Sequence, residues 1–256
     1  MFEPDRFVVR QDGYTKAVVV LASVPGQVVV RDQGLKEIWR VSIKRNVLRV
    51  EHGSEVIEYE ALQATPPELD LSPLPLGQPE NVSPERIRGI ERELLRRRDL
   101  DQTVRKDASQ AGRWKTVDAD NFAYLKALVQ EVGWIDCDRF GKAASSAAIL
   151  LGKHSSDPRL MQAILPLVEK DVKSSAISAE LFSVLYDGLQ LSLGKKQRYG
   201  TQLGEDEKGP FAVPLEEPGK VDDLRRAIGL PPLAEYLATA GKYLYSGREV
   251  RVLTED

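Results

Sequence analysis

Apolar residues change their spacing once along this chain, and that change marks its main division. From Phe7 to Glu60 they come in short alternating or continuous runs rich in β-branched residues: Phe7-Val8-Val9, Ala17 to Leu21, Val28 to Val30, Ile38 to Ile43, Val47 to Val50 and Val56 to Tyr59. Runs of this length and period predict about six strands. Asp12-Gly13, Pro25-Gly26, Gln33-Gly34 and His52-Gly53 interrupt them with residues suited to tight turns. Connections this short imply an antiparallel meander, which closes most easily as a small barrel or a two-layer sandwich.

The period then lengthens. Residues 64–82 carry Pro66, Pro67, Pro73, Pro75 and Pro79. So many prolines exclude a helix interior or a central strand and predict an extended connector, with Leu69, Leu71, Leu74 and Leu76 available to dock on a neighbouring surface. Ser83-Pro84 opens a long helix, the serine capping free amides and the proline fitting the first turn. Its apolar stripe runs Ile87, Ile90 and Leu94, and the same spacing lands on Asp101, with Arg105 one turn further. A second helix carries Phe122, Leu125, Leu128, Val129 and Val132, with Asp118 or Asp120 as its expected cap and Gly133 as its stop. A third, narrow and alanine-rich, runs from Phe140 to Lys153 and leaves His154 at its C-terminal end. Asp157-Pro158 starts a fourth through Leu160, Ile164 and Val168. Ser178 caps a fifth that contains Leu181, Phe182, Leu185, Asp187 and Leu189 and is closed by Gly194.

After Gln197-Arg198-Tyr199-Gly200-Thr201-Gln202 comes a stretch rich in Asp, Glu, Gly and Pro that reads as loop, then short helices near Val221 to Ile228 and Pro232 to Ala240. Tyr243-Leu244-Tyr245, Ser246-Gly247 and Val250-Arg251-Val252 read as a β-hairpin, and because an isolated hairpin is marginal in water it is expected to return to the N-terminal sheet. The fold class expected is therefore α+β. An antiparallel β domain (1–63) leads through a proline-rich linker (64–82) to an α-helical domain (83–241), and a closing hairpin (242–256) follows.

Composition narrows the chemistry. A length of 256 residues with 42% hydrophobic content supports one substantial core and a smaller second one. A net charge of -3 gives no general attraction to nucleic acid or to anionic membranes. The arginines between Arg86 and Arg98 alternate with Glu85, Glu91, Glu93 and Asp99, the pattern of a solvated face. No stretch approaches the roughly 18 consecutive apolar residues of a membrane-spanning helix, and the first ten residues lack the pattern of a secretory signal. The single cysteine, Cys137, excludes an internal disulfide and multi-cysteine metal clusters; a cytoplasmic location is the expectation.

Phosphate loops, nucleophile elbows, zinc-protease helices and cysteine pairs are all missing. Only two histidines exist: His52 lies in an expected turn, which leaves His154 as the candidate for proton transfer. One histidine with distant acids is a poor metal-ligand pattern, so no metal and no cofactor is expected.

Asp101-Gln102 with Arg105, Gly133-Trp134, Gly141, Leu150-Leu151-Gly152-Lys153-His154, Asp157-Pro158, Asp187, the run Gln197 to Gln202 and Gly229-Leu230-Pro231-Pro232-Leu233 resemble, in order and spacing, a bacterial family of unknown function. The resemblance spans about Leu100 to Leu237. Three positions depart from it: Ile135 stands where the family usually has proline, Lys153 where it has glutamine, and Gly188 where it often has arginine. The resemblance implies a shared helical fold and a shared polar site, without an activity to carry over.

Together these features predict one site. His154, Asp101 and Asp187 are its candidate catalytic residues, and Gln102, Arg105, Trp134, Gln197, Tyr199, Thr201 and Gln202 its candidate substrate-binding residues. An imidazole, carboxylates, a phenol, amides and a guanidinium suit acid–base, hydrolase-like work on a small polar substrate. The alternative is a non-catalytic ligand- or protein-binding module whose polar residues tie helices together, the β domain docking a partner.

Overall fold

The computed structural model describes residues 72–78, 82–107, 113–155, 157–206 and 208–253, together with six strands among the first 60 residues. Two compact units result: Leu71–Leu189, and Gln190–Asp256 with Met1–Asp70.

The first unit is helical. Helix α1 (Pro84–Lys106) begins where expected, with Ser83 Oγ accepting from the Arg86 amide at 3.2 Å and Pro84 in the first turn. It continues to Lys106, so that Ile90, Leu94, Asp101 and Val104 all face inward while Leu100 is exposed. Helix α2 (Arg113–Val132) starts five residues before its expected cap and places Asp118 and Asp120 inside the helix. Gly133 ends it with φ 75°, the left-handed conformation that favours glycine. Helix α3 (Cys137–Ser155) is broken at Gly141, φ 78° and ψ 159°, and beyond this kink Ala144, Ala147 and Ala148 are fully buried. These small side chains let α3 lie close against α1 and α2, with α4 (Pro158–Lys173) alongside. Asp157 caps α4 through the amides of Arg159 and Leu160, at 2.8 and 3.1 Å. Helix α5 (Ala179–Ser192) closes this unit, which ends within it at Leu189. Part of the proline-rich connector docks here: the Leu74 amide donates to the Arg159 carbonyl, the Gly77 amide to that of Val129, and Leu74 is buried.

The second unit contains a small three-stranded sheet, β7 (Leu203–Asp206), β8 (Gly209–Ala212) and β9 (Arg251–Val252), with helices α6 (Val221–Ala227) and α7 (Leu233–Leu244). Ala212, Leu215, Val221, Leu233, Leu237, Tyr245 and Val250 form its core.

The expected α+β class with an N-terminal barrel or sandwich is not what the chain forms. The described part is predominantly helical, with seven α-helices among the described residues. The strands β1 (Arg6–Gln11), β2 (Tyr14–Val24) and β3 (Gln27–Arg31) pair antiparallel as one sheet, and β4 (Arg40–Lys44), β5 (Val47–His52) and β6 (Glu55–Glu60) as another. Strand pairing among the described residues closes neither into a barrel. Alternation specifies a strand, whereas closure depends on tilt and shear that alternation does not encode. The C-terminal hairpin is also corrected. Tyr243 and Leu244 complete α7, whose Leu233, Leu237, Ala240 and Gly241 keep helical spacing to its end, and β9 pairs in parallel with β8 rather than with any N-terminal strand. Strands β7 and β8 lie in the stretch read as loop, because Leu203-Gly204-Glu205-Asp206 and Gly209-Pro210 carry turn-like composition. Asp12-Gly13, Pro25-Gly26, Gln33-Gly34, Gly53 and most of 64–82, including Leu69 and Leu71, lie outside the described residues. No helix among the described residues is long and apolar enough to cross a membrane.

Candidate functional site

The acid that helical spacing placed on the core face of α1 is the hub of a polar cluster. Asp101 is fully buried. Its carboxylate accepts from Gln102 Nε2 at 2.8 Å, from Arg105 Nε at 3.2 Å, and from His154 Nδ1 at 2.9 and 3.0 Å to its two oxygens. Gln102 and Arg105 come from the same helix, the arginine one turn on; His154 comes from the last turn of α3 and is brought in by the close α1–α3 packing. Arg105 then reaches α2, where its Nη2 donates to Asp118 Oδ1 and its guanidinium lies 5.7 Å from the Trp114 ring centroid.

Burial and partners set the protonation states. Burial works to raise the pKa of Asp101, but the hydrogen bond and charge of His154, with Arg105 and Gln102, outweigh it and hold the group at about 2. Asp118 behaves oppositely. Burial pushes it up to about 6, Arg105 opposing and the neighbouring Asp101 reinforcing. Burial lowers the pKa of His154 below its ordinary value, Asp101 opposing this while Lys153 and Arg105 add to it. Near neutral pH Asp101 is therefore an anion and His154 a neutral ring. Because ionised Asp101 can only accept, Nδ1 carries the hydrogen and the lone pair sits on Nε2, which has no hydrogen-bond partner among the described residues.

One oxygen each of Asp101 and Asp118 and a ring nitrogen of His154 lie within 4.8 Å of one another, a spacing that could admit a cation. The Arg105 guanidinium already spans both carboxylates. Its charge stands where a metal's would, so the donor set as arranged is compensated by the protein itself. Cys137 is not an activated thiol: burial pushes its pKa up and Asp171 reinforces this.

The other candidate residues are placed as follows. Asp187 is fully buried on α5 and makes interactions of its own, but it is not hydrogen-bonded to His154. Trp134 is buried in the turn between α2 and α3; its carbonyl accepts from Arg139, and its indole N–H has no hydrogen-bond partner among the described residues. The run Gln197 to Gln202 belongs to the second unit, where it is interior. Gln197 is fully buried: its Nε2 donates to the carbonyls of Gln202 and Val213, and its Oε1 accepts from the Gln202 amide at 2.8 Å. Arg225, also buried, donates to the carbonyls of Tyr199 and Pro231, and Tyr236 donates to that of Thr201. The Thr201 hydroxyl accepts from Gln202 Nε2 at 3.1 Å. Gly200 has φ 76°, and a Cβ there would lie 2.5 Å from Leu233 Cδ1, so both conformation and space require glycine.

Asp118 escaped the sequence reading because it was assigned to a helix cap. The inward faces of Val117, Asn121 and Leu125 would have placed it at the edge of the buried stripe, one turn after Trp114. Two of the departures noted above meet in space, since a Cβ on Gly188 would lie 3.9 Å from Lys153 Cγ.

Packed helices around a buried carboxylate, an imidazole and a bridging guanidinium define a helical protein with an internal polar site. The chain belongs to a family of unknown function (DUF6624), whose model matches residues 89–244 and so includes all of these residues. The strands before Leu71 and the closing β9 lie outside that match. No curated protein and no solved structure matches the chain.

Proposed function

We propose that the helical unit is an acid–base catalyst, hydrolase-like in chemistry, that acts on a small polar substrate with His154 as general base. One observation carries this reading: fully buried Asp101 grips Nδ1 of His154, while Nε2 has no partner among the described residues. An anionic carboxylate behind an imidazole fixes the tautomer, orients the ring and stabilises the imidazolium formed when Nε2 takes a proton. Gln102 and Arg105 hold the carboxylate in turn, so the base rests on a constrained support. The lowered pKa of His154 keeps Nε2 unprotonated at neutral pH, as a base requires.

A non-catalytic reading has one observation in its favour. Asp101 is saturated by three donors, as in a network that ties α1 to α3.

The test is a panel of p-nitrophenyl esters, phosphoesters and glycosides with small amides, assayed between pH 5 and 9 on wild type and His154→Gln. Turnover that falls by about 10²–10⁴ in the variant, the range of general-base contributions, supports catalysis. Equal turnover in both proteins, or none on any class together with a large loss of thermal stability in His154→Gln, supports the structural network instead.

A further inference from the structure

We infer that Asp118 is the second proton-carrying residue of this site, giving a proton to the leaving group while His154 takes one from the attacking water. The inference rests on the acid–base reading above.

The two carboxyl groups of the cluster are not equivalent. Asp101 is fully enclosed and both of its oxygens are taken by donors. Asp118 arrives from another helix, keeps its side chain 13% exposed, and is held through Oδ1 alone by Arg105, its Oδ2 accepting from no group among the described residues. Oxygens of the two carboxyls lie within 4.8 Å of one another. Two anions so close, with one guanidinium between them, favour a proton on one of the pair. It settles on the carboxyl with fewer donors, which is also the one that solvent reaches.

The surroundings of Asp118 agree. Arg105 and Asp101 face it from α1 and His154 from α3, and Trp114 and Lys115 precede it on its own helix. Burial and the Asp101 charge raise its pKa against the pull of Arg105, to about 6. The two shifts act in the same sense, favouring the acid form of Asp118 and the neutral form of His154.

The resulting hydrolytic step balances. Water oxygen bonds to the electrophilic centre and its proton passes to His154 Nε2. The bond to the leaving group breaks, and the leaving atom takes the Asp118 proton. One proton then returns from Nε2 to Asp118 through solvent, and the site is restored.

A neutral diazoacetamide tests this on the full chain without a known substrate. It esterifies a carboxyl only through the acid form: the carboxyl proton moves to the diazo carbon, the carboxylate oxygen attacks that carbon and dinitrogen leaves. At pH 6 a carboxyl of ordinary pKa is under about 1% protonated and one titrating near 6 about half, a ratio of roughly fiftyfold or more. Peptide mass spectrometry should find Asp118 esterified at least about tenfold faster than exposed Asp99 and Asp120, allowing for its partial enclosure, with Asp101 untouched. Labelling of Asp118 no faster than of Asp99 overturns the inference.

The donor role itself is read on whichever acyl class wild type hydrolyses. Asp118→Asn should slow an ethyl ester at least about tenfold more than the p-nitrophenyl ester, whose leaving group needs no proton. Equal slowing of both makes Asp118 a support for Arg105 only and overturns the inference. His154→Gln separates the two failures. Turnover lost in that variant with Asp118 unlabelled in wild type refutes the donor alone, whereas turnover unchanged in it refutes the base and the donor together.

Discussion

Replacing Asp101 by asparagine tests the cluster at its hub. The carboxylate accepts from three side chains, and asparagine keeps one acceptor while turning the other oxygen into a donor that faces donors. Gln102 can offer its own amide oxygen after a flip, so its contact survives. The bonds from Arg105 and His154 lose their charge, at about 1 kcal/mol each, the difference between charge-assisted and neutral hydrogen bonds. A second route gives a similar figure. A pKa held at about 2 against an ordinary 3.8 corresponds to about 2–3 kcal/mol at ~1.4 kcal/mol per unit. Loss of the anion also frees Asp118 to ionise beside Arg105, which returns part of the cost. The expected net loss is about 2 kcal/mol for Asp101→Asn and about 4 kcal/mol for Asp101→Ala, which leaves all three donors unpaired.

The assay is urea unfolding followed by circular dichroism at pH 7 and at steps down to pH 2. The sign follows from the depressed pKa. Stability contributed by Asp101 is present above about pH 4 and is lost as pH falls toward about 2, so wild type and Asp101→Asn should converge in acid. A difference within about 0.5 kcal/mol at pH 7, the scatter of an ordinary surface change, or one that persists unchanged to pH 2, would refute the hub.

Four further outcomes follow from the structure. Asp118, titrating near 6 in the fold against 3.8 unfolded, holds its proton more tightly when folded; its contribution to stability falls as pH rises from about 4 to about 6, and urea midpoints of Asp118→Asn across that window should lack this fall. His154 acts with the opposite slope: its lowered folded pKa makes the unfolded chain the better proton acceptor, so stability drops as pH falls below 6.5, and the imidazole C2 proton should titrate below that value by NMR. Gly200→Ala meets both a φ of 76° and a contact of 2.5 Å with Leu233, and calorimetry should show a loss of about 2–4 kcal/mol. A comparable loss is expected for Gln197→Glu, which replaces the donor to two buried carbonyls by an acceptor.

Much of the helical unit was legible in the chain, since Ser83, Asp157, Gly133 and Gly194 act through local geometry and the 3.6-residue stripes are read directly. One non-local feature was also legible: an acid on the core stripe of α1 announces that something must meet it. His154 was expected in the same site, with Asp101 and Asp187 both as acids, but which acid it would contact was not legible. His154 was visible as a histidine at a helix end, but its pairing with Asp101 across 53 residues depends on how closely alanines let α3 approach α1. For Asp118 the edge of the buried stripe was readable, but its part in the cluster was not, because that rests on Arg105 bridging two helices.

The run Gln197 to Gln202 shows the converse. Its polar composition marks a demanding position without saying whether the demand comes from a ligand or from buried backbone, and the amide of Gln197 is taken by the carbonyls of Gln202 and Val213 and the Gln202 amide. The sequence alone determined most helix starts and stops, the start of α2 and the end of α7 excepted, and which side chains turn inward, because caps, turns and periodicity act within a few residues. Only the tertiary structure decided which inward polar groups share a site, how the strands pair and where the chain's end docks, because those depend on the approach of segments whose separation along the chain carries no geometric information.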